Sequence, residues 1–291
     1  MSHFIVAVFT KEGQTVEELL APYQENNMGD CPKEYLEFYD VEEEYRNKYE
    51  NEGIEKVKLP DGRLLSSWES GAREYENLEK VKVPFKETYE TFEQFMEEWA
   101  GYKKDEETGK YGYWENPNAK WDWWVVGGRW SGLLKLKDEA TTGQMGDRRW
   151  TNINENIPKG RVDSAKVRDI DFSIDMDEYN RNLRFWELVV EGDTPRNVEE
   201  EEIVKWSFYY NPEYYLNRYD SKEEYARLCS EFDAYAVITP DGKWHSKGEM
   251  GWWGISSESH EEAKKWNKSF KEAFIDNADP EWTLTIVDCH I

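Results

Sequence analysis

Short apolar runs at residues 4–9, 123–126, 235–238 and 284–287 have the length and composition of strands, and polar sequence separates them widely. The first and last lie at the two chain ends, so one sheet holding both would bring the termini together. Turn chemistry predicts two hairpins, at Asp61-Gly62 and Asp241-Gly242, each with a proline just before it and β-prone residues on both sides. A third is expected at Gly127-Gly128, with strand-like arms on either side of two residues free to take positive φ. Helical spacing is clearest where Phe92, Phe95, Met96 and Trp99 follow Thr91 and Gln94, a capping-box pair. Ser259 with Glu262 precedes Ala263, Trp266, Phe270 and Phe274 in the same way, and Ser221 with Glu224 precedes Tyr225, Leu228 and Phe232. Thr15 with Glu18 opens a shorter helix that Pro22 should limit.

Periodicity weakens between residues 141 and 198, where Gly143, Gly146, Pro158, Gly160 and Pro195 interrupt mixed-charge sequence. The pattern therefore predicts an α+β fold: a central, mostly antiparallel sheet joining the N- and C-terminal strands and flanked by amphipathic helices. Residues 1–140 and 199–291 would form its core, and residues 141–198 an inserted or projecting subdomain.

Composition narrows the function. Of 291 residues, 62 are acidic and 37 basic, a formal charge of −25 that opposes direct binding to nucleic acid or to anionic membrane surfaces. A basic protein partner, or a small ligand in a locally basic pocket, fits this charge. Aromatic residues make up 15% of the chain, enough to build a core although the hydrophobic total is only 38%. Cys31, Cys229 and Cys289 are far apart and lack CxxC spacing, which predicts reduced thiols in a cytoplasm. No signal peptide or membrane span is expected, and the sequence calls for no cofactor or structural metal.

The usual catalytic signatures are missing: no Walker A loop, GxGxxG, HExxH or GxSxG. This favours a binder over an enzyme, yet three clusters carry chemistry. Alternation on the last strand puts Asp288 and His290 on one face, where His3 can join them if the end strands pair. Two imidazoles and a carboxylate suit acid–base catalysis or metal ligation; they equally suit hydrogen bonds that tie strand ends. Arg129, beside the Gly127-Gly128 turn and near Trp121, Trp123, Trp124 and Trp130, could hold a phosphate while an indole stacks on a base; packing within a core is the alternative. The segment around Trp244, His245, Trp252 and Trp253 joins glycines, cations and aromatics in the manner of a protein-contact loop, or plugs the core.

The opening MSHFIVAVF, the middle block WDWWVVGGRW and the closing VDCHI resemble a family of tailed-phage proteins, and the matching blocks are spread over the whole chain. In length and setting the chain is also similar to the Gabija anti-defence proteins of phages. That resemblance implies a homo-oligomer in the cytoplasm of an infected bacterium that encloses a defence complex, such as a nuclease, and inhibits it by stoichiometric binding. The alternatives are a sponge or hydrolase for a nucleotide immune signal, using Arg129 and its tryptophans, and a metal-dependent enzyme centred on His3, Asp288 and His290.

Overall fold

The structure is a computed structural model that describes residues 2–146, 157–207, 211–251 and 255–291. It is α+β and divides into two compact units, one formed by Met1–Gly29 with Asn118–Ile291, the other by Asp30–Pro117.

The first unit is built on a mixed sheet of β1 (His3–Thr10), β2 (Trp123–Val126), β3 (Ser164–Lys166), β4 (Ala236–Ile238), β5 (Trp244–Ser246) and β6 (Thr283–His290). The two terminal strands, β1 and β6, pair antiparallel along their full length, from His3 opposite His290 to Thr10 opposite Thr283. On its other edge β6 carries both β2, beside residues 287–290, and β3, beside residues 283–285. β4 pairs with β1 in parallel and closes the Asp241-Gly242 hairpin with β5.

Both faces of this sheet are covered, which explains why β1 and β6 read as continuous apolar runs rather than alternating ones. One face sets Ala7, Phe9, Leu284 and Ile286 against Phe270 and Ile275 and against Val162, Ala165 and Ile170. The opposite face packs Phe4, Val6, Val8, Val287 and Cys289 on Leu19, Leu20 and Trp121. Burying a side chain of the Phe9 or Leu284 kind contributes about 1.5–3 kcal/mol.

Residues described between 141 and 198 belong to the first unit: β3 hydrogen-bonds into the central sheet and Val162, Ala165 and Ile170 are core, and the second compact unit is Asp30–Pro117. One expectation is corrected: Gly127-Gly128 does not close a hairpin. The chain turns through a single helical turn, Gly128–Trp130, and Leu134–Lys135 pairs with Arg161–Val162 instead of returning along β2.

Helix starts follow the local signals. The Thr15/Glu18 and Ser259/Glu262 capping boxes are complete, and Ser221 caps Lys222–Ser230 by accepting from the Glu224 amide. Asp175 caps Met176–Val189, whose Arg184 clamps both carboxylate oxygens of Glu200 at 3.0 and 2.8 Å and also holds Asp193 and the Thr194 carbonyl. The Arg184 hydrogen bonds pull the Glu200 carboxyl from the ordinary glutamate range down to about 2. A carboxyl depressed on folding stabilises the fold above its ordinary pKa and loses that contribution as pH falls through its folded value. Arg184→Met should therefore lower the melting temperature most at neutral pH. Its difference from the wild type should close as pH falls from the glutamate range towards 2 in a melting series.

The Asp30–Pro117 unit sets Gly53–Lys58 between Leu64–Leu65 and Glu79–Pro84 and pairs Glu37–Asp40 with Gly112–Glu115. The Asp61-Gly62 turn is realised there, with Gly62 at φ +90°. Its core is mostly aromatic: Tyr49, Phe85, Phe95 and Tyr111 cluster with Met96. Phe95 is fully buried, whereas Trp99 stacks on it and stays exposed.

Candidate functional site

The β1–β6 register brings His3 and His290 directly opposite each other. Side chains alternate across a strand, so His3 and Ile5 share a face with Asp288 and His290, and the β2–β6 pairing adds Trp123 to it. Two expected clusters, one at the chain ends and one at the glycine turn, thus meet at one end of the sheet.

Each imidazole has its own carboxylate. His3 Nδ1 lies 2.7 Å from Asp288 Oδ1, and His290 Nδ1 lies 2.6 Å from Asp122 Oδ1. Asp122 is also fixed through its backbone, donating its N–H to the His290 carbonyl at 2.9 Å. The two rings meet edge to face with centroids 5.0 Å apart. Because both Nδ1 atoms are taken up by carboxylates, Nε2 is the nitrogen each ring presents, and neither Nε2 has a hydrogen-bond partner among the described residues. Both rings are partly accessible, whereas Asp288 is only 2% exposed.

The glycine turn is shaped by carboxylates. Asp288 Oδ2 accepts from the Arg129 amide at 2.9 Å, and a Cβ on Gly128 would lie 2.4 Å from that oxygen. Gly127, at φ +76°, rests on the fully buried Asp163, to which a Cβ would approach within 2.5 Å. Asp163 also accepts from the Gly132 amide at 2.5 Å, the Gly146 amide at 2.7 Å and the Ser131 hydroxyl at 3.1 Å. The two glycines therefore serve close approach to internal carboxylates, and the turn holds up Arg129. The Arg129 side chain is exposed, and its guanidinium has no ion-pair or hydrogen-bond partner among the described residues. Trp123, 37% exposed, meets His3 edge-on with centroids 6.2 Å apart.

Other expected residues lie elsewhere. Trp121 is not a ligand platform: it is buried in the core and donates its indole N–H to the Leu20 carbonyl. Trp130 packs on the core and lines a cavity open to the surface. Trp244 packs on Tyr23 at a tilt, with centroids 5.1 Å apart, and His245 packs against Phe274. Trp252 and Trp253 lie outside the described residues. Among the described residues no three His, Cys, Asp or Glu groups converge as metal ligands; His3, Asp288 and His290 are organised as halves of two His–Asp pairs. Asp122 and Asp163 escaped the sequence reading, although Asp122 stands beside a strand whose pairing would have placed it next to His290.

Comparison with protein-family models, curated proteins and solved structures finds no match for this chain. No helix among the described residues is long and apolar enough to cross a membrane.

Proposed function

We propose that the first unit binds and cleaves a phosphodiester in a small nucleotide by paired general acid–base catalysis. The observation that carries this reading is the pair of adjacent imidazoles, each held at Nδ1 by a carboxylate and each offering Nε2. One neutral ring takes the proton from the attacking hydroxyl or water, and the other, protonated, gives its proton to the leaving oxygen. Asp288 and Asp122 hold the rings in orientation and fix which nitrogen faces the substrate. The Arg129 guanidinium is suited to the non-bridging phosphate oxygens, and the exposed Trp123 ring to a base or ribose face. The net charge of −25 favours a small nucleotide over a long polyanion. In an infected bacterium such chemistry would remove a nucleotide immune signal.

The chain has only four histidines, so imidazole NMR provides a clean test. On titration with a non-hydrolysable diribonucleotide phosphorothioate, the Nε2 signals of His3 and His290 should shift together while those of His245 and His260 stay in place. Unmoved His3 and His290 signals at saturating ligand would overturn the reading.

A second observation favours inhibition of a defence protein by stoichiometric binding. Val198, Trp206 and Leu216 are 70%, 61% and 58% exposed on the helices Val198–Trp206 and Pro212–Arg218, and Glu199–Glu202 accompany them. Apolar anchors with acidic neighbours suit a partner with a basic rim.

A further inference from the structure

On the sheet face that carries the paired histidines lies a cavity of about 430 Å³, within the range of small-molecule sites. Ile5, the direct cross-strand partner of Asp288, is part of its wall, and so is Trp130, which follows Arg129 in the turn. The cavity therefore begins one residue pair from the His3–Asp288 dyad. Its lining residues are scattered from Ile5 to Lys271, so no local sequence motif marks it.

Trp130, Phe172, Tyr219, Phe232 and Phe270 give the lining an aromatic portion, and the remainder is largely polar and charged. Phe172 and Phe232 meet edge to face with centroids 5.8 Å apart, and Phe270 packs on Phe232 at 5.9 Å. The polar lining groups include Asn267, Asp233 and Lys247. The Asn267 Oδ1 is buried and has no hydrogen-bond partner among the described residues. A buried acceptor left in this state costs about 1–3 kcal/mol, so it calls for a donor. Asp233 Oδ1 already accepts from the Ala234 amide at 2.8 Å and from the Trp266 indole at 3.2 Å, while Oδ2 has only a loose 3.5 Å approach from Lys247. Burial pushes the Asp233 carboxyl up, against the opposing pull of the Lys247 ammonium. Trp266 and Asn267 are consecutive on His260–Phe270, so the indole bond to Asp233 sets the two acceptors in the same wall.

We infer that this cavity is a nucleobase site: the aromatic walls take a planar heteroaromatic ring, Asn267 and Asp233 accept from its N–H donors, and Lys247 donates to a ring nitrogen or carbonyl. A purely aliphatic ligand would leave the Asn267 oxygen orphaned. As the base pocket of the substrate cleaved at His3 and His290 the site rests on the function proposed above. As a binding site it stands separately.

The test is direct binding of adenosine, guanosine, cytidine and uridine, which carry no phosphate, to the full chain by calorimetry. At least one should bind with a dissociation constant in the millimolar range or tighter. Asn267→Leu should weaken it about tenfold or more, the loss of one buried hydrogen bond. Asn267→Ala, which removes the same acceptor without adding bulk, gives the same readout should the leucine variant fail to fold. Failure of all four nucleosides to bind, or binding that ignores both Asn267 substitutions, would overturn the cavity assignment. Nucleoside binding in a chain that cleaves no phosphodiester would uphold the cavity and sink only the catalytic reading.

Discussion

Asp163→Ala should unfold the first unit more readily by about 3–5 kcal/mol, the range found when one partner of a buried charged network is removed. The Asp163 carboxylate is fully buried and collects two backbone amides and a hydroxyl, from Gly132, Gly146 and Ser131. Its backbone is part of the same anchor, since the Asp163 carbonyl accepts from the Ile286 amide in β6. Alanine leaves the donors without an acceptor and opens a space beneath Gly127. Asp163→Asn keeps the volume and one acceptor oxygen and should lose about half as much, because its amide group faces donors rather than acceptors. Urea denaturation of the three proteins measures this through a shift of midpoint at constant slope. A loss below about 1 kcal/mol for the alanine variant would mean that water replaces the carboxylate and that the turn is held by other contacts.

For the reaction itself, His3→Ala and His290→Ala should each lower phosphodiester turnover by about 10²–10⁴-fold, the usual contribution of a positioned general acid or base. The double variant should fall well short of the product of the two losses, since residues that act as a unit are not additive. Asp122→Asn tests the orientation of His290: an asparagine can donate to Nδ1 and so favour the wrong tautomer, lowering kcat while leaving KM near its original value. Both rings sit at a partly accessible sheet end rather than in the core, so the alanine variants should melt within a few degrees of the wild type. Turnover equal to the wild type in all four variants would reduce the two pairs to strand-end hydrogen bonds.

Much of this arrangement was legible in the sequence, for identifiable reasons. Strands at both termini and the alternation of Asp288, Cys289 and His290 required only that β1 and β6 pair, and pairing put His3 opposite His290. The capping residues Thr15, Ser221 and Ser259 start helices because their side chains satisfy amides a few residues away, a local property that sequence displays directly. The glycine turn misled because glycine pairs mark hairpins by conformation, whereas Gly127 and Gly128 are required by carboxylates 36 and 160 residues further along the chain, at Asp163 and Asp288. Residues 141–198 looked like an insertion because β3 is only three residues long and carries no run of its own, yet it fills an edge that β6 leaves open beside β2. Trp121 was grouped with Trp123 by proximity, but the bond from its indole to Leu20 and its burial assign it to the opposite face.

The central claim is that the paired imidazoles act together on a phosphodiester, and turnover measures it most directly. Purified wild-type chain would be incubated at neutral pH with cyclic mononucleotides, cyclic dinucleotides and linear diribonucleotides, with products resolved by chromatography alongside the His3→Ala/His290→Ala double variant. The account predicts cleavage of at least one of these phosphodiesters by the wild type and none above background by the double variant. Cleavage that persists in the double variant, or intact substrates with both proteins, would contradict it.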